Sequence, residues 1–265
     1  YQGVWSLSEQ YQNASGWPSP PPAGTAFFGG GLLDGNVLVS QVDSINAAGG
    51  TATDFGDLTV ARFVPGACSS STRGVWAGGS NFNQLNTIDF VSLSSGGTGS
   101  DFGDLLFVAS GGIAGCSSET RGIFGGGTGG ANGNVLQYIT IASTGNAIDF
   151  GDATIAELRY SSSCSSPTRG IWAGGENGNV IQYVTIASTG NATDFGDLTR
   201  STQSLAACSS STRGIMAGGN GSSNVIDYIE IATTGNATDF GDLVTGVQNP
   251  GGAAISYYAL FAGGY

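Results

Sequence analysis

The chain has no histidine and no lysine, a single methionine and few charges of either sign. Without histidine it lacks the commonest general base and metal ligand at neutral pH, and no cofactor or metal site is expected. Charged residues make up 10% of the 265 positions, against about 25% in an ordinary soluble domain. Every basic residue is an arginine: Arg62, Arg73, Arg121, Arg159, Arg169, Arg200 and Arg213. With a formal net charge of -12 such a chain repels phosphate backbones, which excludes nucleic acid as a natural partner. No segment approaches the roughly 20 consecutive apolar residues of a membrane-spanning helix, so membrane insertion is not expected. Glycine, in contrast, is abundant at 47 residues, and hydrophobic residues at 40% suffice for a core.

Self-similarity organises the chain. CSSSTRGVWAGG begins at Cys68, CSSETRGIFGGG at Cys116, CSSPTRGIWAGG at Cys164 and CSSSTRGIMAGG at Cys208, at spacings of 48, 48 and 44 residues. In step with these run TDFGDL from Thr53, SDFGDL from Ser100, IDFGDA from Ile148, and TDFGDL from Thr193 and Thr238. Between them lies a third block, clearest as NVIQYVTIASTGN from Asn179 and NVIDYIEIATTGN from Asn224, in which apolar and polar residues alternate as in a strand. Each unit reads as four β segments: a (ACSSS), b (GIWAGG), c (VIQYVTIAS) and d (ATDFGDL). Four-stranded units of about 45 residues are the signature of a β-propeller.

Five c and five d segments predict an all-β, five-bladed propeller over residues 26–265, its ring closed by the C-terminal strands. The a segment from Ala253 is expected beside the N-terminal b, c and d segments. Segment b occurs six times, so one copy, at Phe27-Phe28 or at Leu260-Phe261, is spare. Residues 1–25 differ from the repeats. Ser6-Leu7-Ser8-Glu9 fits a capping box, predicting a short helix to about Asn13, and a proline-rich linker follows through Pro22.

Two resemblances arise at these residues. The order of Arg62, a small-residue strand, and an aromatic followed by Gly78-Gly79 is similar to the kelch repeat, with the phenylalanine of DFGD in place of the tryptophan of that repeat's last strand. More specifically, GVWSLSEQYQ and the STGNATDFGDLT and CSSSTRGIWAGG blocks resemble virion structural and tail-fibre proteins of tailed, particularly marine, bacteriophages. That resemblance implies a location on the virion surface, outside the cell, with the N-terminal connector contacting other virion proteins. A homo-oligomer is compatible with it.

The conspicuous chemistry reads mainly as scaffold. Cysteines at one position of successive blades point to separate environments, too far apart for disulfides, and read as small packed thiols. The arginine of each STRG turn is expected to tie local elements together, with a DFGD carboxylate as partner. DFGD itself recurs without a kinase's lysine or catalytic loop, so its phenylalanine is expected between blades and its aspartates on a glycine turn. Aromatics of segment b (Trp76, Phe124, Trp172) belong in the inter-blade core on this reading. A glycoside hydrolase would need two carboxylates about 5–10 Å apart. Asp34, Asp89, Glu119, Glu157, Glu176, Asp227 and Glu230 are scattered over different elements, and no enzyme is expected.

Variation among blades separates scaffold from freedom. The a-to-b and c-to-d turns barely change, whereas the b-to-c loops and the d-to-a segments differ from blade to blade. Strand alternation puts the variable segments at one end of the ring, where loops on a rigid scaffold carry recognition. The candidate binding residues are Asn81, Phe82, Asn83, Gln84, Asn132, Glu176, Asn177 and Asn220 from the b-to-c loops, with Arg62, Phe63, Arg159, Tyr160, Gln203 and Asn249 from the d-to-a side. Their amides and rings suit a host-surface glycan or protein. Solvated loops that bind nothing, in a purely structural decoration or spacer, have the same makeup.

Overall fold

A computed structural model describes residues 24–46, 50–109, 112–127, 132–176, 178–255 and 258–265. The expected N-terminal helix and proline-rich linker lie outside them. Among the described residues every regular element is a strand. Five four-stranded sheets stand in a ring, the arrangement of a five-bladed β-propeller.

The alternation of segment c, the turn residues and the glycines cooperate to give each blade its antiparallel meander. The first blade contains β1 (Thr25–Leu33), β2 (Val37–Asn46) and β3 (Thr53–Asp57). The second contains β4 (Gly66–Ser69), β5 (Arg73–Ala77), β6 (Leu85–Ser92) and β8 (Ser100–Ala109). Its short β7 (Gly97–Thr98) crosses to pair in parallel with β3, linking the two blades. The third comprises β9 (Ile113–Ser117), β10 (Arg121–Gly126), β11 (Val135–Thr140) and β12 (Ile148–Asp152). The fourth comprises β13 (Ser162–Ser165), β14 (Arg169–Ala173), β15 (Val180–Thr185) and β16 (Thr193–Asp197). The fifth comprises β17 (Ala206–Ser209), β18 (Arg213–Ala217), β19 (Val225–Glu230) and β20 (Thr238–Asp242). A hairpin of β21 (Gly251–Ile255) and β22 (Tyr258–Ala262) ends the chain.

The a strands β4, β9, β13, β17 and β21 lie side by side around the axis, and β21 also touches β1, closing the ring. The expected place of β21 needs correction. It pairs with β22, its own b segment, and not with the first blade, so both b copies are used. A contiguous a–b hairpin needs only a short turn to form, whereas pairing β21 with β1 would close a loop of more than 200 residues for the same hydrogen bonds.

The core lies between blades. Buried clusters join the first blade to the second (Val42, Leu58, Trp76, Val91), the second to the third around Phe102 and Phe124, the third to the fourth around Phe150 and Trp172, and the fourth to the fifth around Phe195 and Met216. The b-segment aromatics are therefore core residues, and Trp172 Nε1 donates to the Ala114 carbonyl of the preceding blade at 3.5 Å. Serines zip the inner strands together: Ser117, Ser165 and Ser209 Oγ donate to the carbonyls of Ser69, Ser117 and Ser165. The cysteines are free thiols that pack against the next blade. A Cβ at Gly122 or Gly170 would run into Cys68 or Cys116 Sγ at 2.5 and 2.6 Å, which explains the glycine of STRG.

DFGD forms the outer strand expected of segment d, with its glycine at a bulge of φ +137° to +153° where the ladder register shifts, and Asp54 and Asp239 Oδ1 accept from the N–H of Gly56 and Gly241. The expected arginine contact differs. The STRG arginines bind no DFGD carboxylate. Arg73, Arg121 and Arg169 Nη1 donate to the main-chain carbonyls of Ile141, Ile186 and Ile231 in the following blade, each at 2.8 Å. Each guanidinium also sits 4.4–4.5 Å above the ring of Phe90, Tyr138 or Tyr183. That ring, not the aspartate, fixes where the guanidinium lies.

Candidate functional site: the variable rim

Each b strand of the second to fifth blades, and β22, ends in two glycines that both take positive φ, as at Gly78 (62°) and Gly79 (84°) or Gly218 (75°) and Gly219 (118°). Such a pair suits only glycine and bends the chain back over the d-to-a segment. The next residue then makes main-chain bonds with that segment: Ser80 with Phe63, Glu176 with Arg159, Asn220 with Gln203 and Tyr265 with Gln248, at 2.9–3.0 Å. These clamps mark equivalent points around the rim. Corner residues Tyr160, Ser204 and Asn249, all at positive φ, link the clamps between blades: Ser204 N–H donates to Tyr160 O and Asn249 N–H to Ser204 O, both at 2.8 Å. Because those links are main-chain only, the corner side chains are free to differ.

The clamps bring most candidate residues together within blades. In the second, the half-buried Phe63 ring lies 6.1 Å from that of Phe82, which is 60% exposed at φ +71°. Asn81 Oδ1 accepts from Asn83 N–H, and Ser80 bridges Gln84, so the loop is held from both sides of Phe82. In the fourth, Arg159 makes a bidentate pair with Glu176 at 2.8 Å and lies 5.2 Å from the Tyr160 ring. The hydrogen bonds to Glu176 raise the Arg159 pKa further. Asn220 and Gln203 meet through the main chain, and Asn249 Nδ2 donates to Tyr265 Oη at 3.1 Å. Asn132 is exposed, its carbonyl accepting from Val135 N–H. Asn177 lies outside the described residues.

Arg62 is placed differently. It is fully buried, 2.6 Å from the equally buried Asp89, and donates to the carbonyls of Val60, Gly78 and Thr87. Burial lowers its pKa, partly offset by Asp89. It braces the rim from beneath, fully buried and with four of its five N–H donors engaged around it. The same position of strand c holds Asp227 beside Arg200 in the fifth blade. In the third and fourth blades that position holds glutamine, and Gln137 and Gln182 accept from the main-chain N–H groups of Leu106 and Thr154. Of the other carboxylates weighed for hydrolysis, Glu230 pairs with Arg213 and Glu119 accepts from Ser71 N–H.

Two rim residues escape sequence reasoning. Ser80 and Tyr265 follow a glycine doublet directly, and that position is the signal: among the described residues it is where the four clamps form. A cleft of about 380 Å³ lies at the opposite end, between the Ser118–Arg121 turn and Pro167. The rim itself is a surface of paired side chains, able to stack on and hydrogen-bond to a broad ligand. Comparison with protein-family models finds no match, and no curated protein matches this sequence.

Proposed function

We propose that the protein is a non-enzymatic adhesin on the surface of a phage particle, in a tail fibre, spike or similar appendage, which engages a host-surface glycan or protein through the variable rim. One observation carries the reading. At or beside the equivalent clamps stand an aromatic pair (Phe63, Phe82), an ion pair (Arg159, Glu176), two amide residues joined through the main chain (Gln203, Asn220) and an amide–phenol pair (Asn249, Tyr265), while the turns of the other end largely repeat. A rigid ring presenting different chemistry at regular intervals suits recognition of an extended ligand. The virion assignment rests on the repeat blocks, and residues 1–25 would join the ring to other virion proteins. Glycan-array and host-cell binding, with the rim loops replaced by glycine-serine as the control, test the reading. Equal binding by both proteins sinks it.

A purely structural place in the particle is the second reading, favoured by the incomplete C-terminal half-blade.

A further inference from the structure

At the three junctions between the second and fifth blades, the c-to-d turn of one blade docks on the DFGD strand of the blade before it through the same bonds. Gly145, Gly190 and Gly235 N–H donate to the carbonyls of Phe102, Phe150 and Phe195 at 2.7–2.8 Å. Asp104, Asp152 and Asp197 N–H donate to Oδ1 of Asn146, Asn191 and Asn236 at 3.0–3.1 Å. Their carbonyls accept from Ala147, Ala192 and Ala237 N–H. The STRG arginine of the preceding blade completes the set by donating to the isoleucine carbonyl just before the turn. A junction is thus a socket of fixed composition, an arginine and a DFGD edge, filled by an Ile-Ala-Ser-Thr-Gly-Asn-Ala plug or, at residues 231–237, by the same plug with threonine for serine.

The fifth blade carries the socket, but β21–β22 brings only an a–b pair to its side, without the c and d strands that hold a plug. Four features mark it as open. Phe240 is 56% exposed, whereas Phe102, Phe150 and Phe195 are 2–3% exposed. A Cβ at Gly241 meets nothing within 4 Å, whereas at Gly103 and Gly151 it would strike Gly145 and Gly190 at 2.5–2.6 Å. Arg213 turns to the Glu230 carboxylate of its own blade instead of a neighbour's carbonyl. Lastly, β22 pairs with β21 alone, leaving its outer edge in the place where strand c adds in a full blade.

We propose that β20, β22 and Arg213 form an acceptor for a β-hairpin of this chain's own c–d type, donated by a partner polypeptide that adds a strand to β22 and seats an Ile-Ala-Ser-Thr-Gly-Asn-like turn on the β20 edge. The internal junctions name the occupant, because they show what covers an identical edge. A second copy is a poor donor, since its Gly145, Gly190 and Gly235 turns already fill its own sockets. Strand addition supplies the affinity and the asparagine supplies selectivity.

A labelled peptide spanning residues 179–197, the chain's own c–d hairpin, probes the full-length protein by fluorescence anisotropy. Saturable one-to-one binding is expected, weakened at least about tenfold by Asn191→Ala in the peptide and by Gly241→Val or Arg213→Gln in the protein. Circular dichroism confirms that the variants fold, and Arg213→Gln covers the case in which Gly241→Val does not. The proposal is overturned by absence of saturable binding up to about 100 µM, or by binding indifferent to all three changes. Sedimentation velocity showing self-association that Gly241→Val abolishes would also overturn it, by making a second copy the occupant.

Discussion

The two ends of the ring are built from the same strands, yet one repeats its arginine turn in the second to fifth blades and its glycine-asparagine turn in the third to fifth, while the other differs in every blade. The difference follows where the bonds go. At the uniform end, turn side chains reach into a neighbouring blade: the arginine donates to an isoleucine carbonyl of the blade after it, and the asparagine oxygen accepts from a DFGD N–H of the blade before it. Since each neighbour is itself a repeat, a change there must be matched on both sides. At the rim, clamps bond within a blade, and links between blades use the main chain alone. A side chain there answers to no other repeat. Sequence uniformity in this molecule thus maps inter-blade side-chain bonding, and individuality maps the surface left free.

Arg62 tests the comparison most severely, because it lies in a variable segment but behaves as scaffold. Arg62→Met should leave Asp89 buried and uncompensated, costing about 3–5 kcal/mol in urea unfolding. Arg62→Met combined with Asp89→Leu should recover more than half of that loss, and a double variant as unstable as the single one would refute this account of the pair. Next in size, Gly151→Ala forces a Cβ against the Gly190 carbonyl at 2.5 Å and adds overpacking of about 1–3 kcal/mol to the backbone strain of about 1–3 kcal/mol. Gly241→Ala, at nearly the same φ but with an open edge, should incur the strain alone. Equal losses at both glycines would show that the junction contributes nothing.

Repeat period and strand alternation made the blade count and the two-ended division legible, because both are periodic properties that any one blade displays. The packed cysteines and b-segment aromatics were legible for the same reason. Ring closure was not, since the b segments at Ala26 and Ala259 are alike and the choice of partner for β21 depends on chain connectivity. The arginine's acceptor was hidden because a main-chain carbonyl has no sequence signature, whereas the DFGD carboxylates advertise themselves. At the rim, Arg62 looked like its exposed neighbours. Only its register opposite Asp89 places it inside. Tyr265 was missed because the clamp is a pairing across 17 residues, visible once the glycine doublet's fold-back is known.

An effect seen only at alkaline pH separates the buried thiols from the rim. Burial pushes the Cys208 thiol up to about 12, and burial with the neighbouring Cys208 does the same for Cys164. The folded chain therefore holds protons that the unfolded chain releases from about pH 8.5 upward. Stability from each thiol is complete below that pH and declines as pH rises toward 12, by about 1.4 kcal/mol per unit. Urea unfolding at rising pH should show this alkaline slope, and Cys164→Ala should flatten it. An unchanged slope in that variant would place the titration elsewhere.

The smallest expected stability effects lie on the rim, where they say most about function. Glu176→Gln should change stability by less than about 0.5 kcal/mol, as for an exposed pair. Phe82 is more telling: a bulky, largely exposed side chain at φ +71° is strained, and glycine would occupy that backbone with less cost. Phe82→Gly should therefore leave the melting temperature unchanged or raise it slightly. If the ring is retained for contact, the same variant should lose host-cell binding while the fold gains, a division that a solvated, ligand-free loop would not produce. A variant that binds as before and is more stable would detach Phe82 from recognition and leave its strain unexplained.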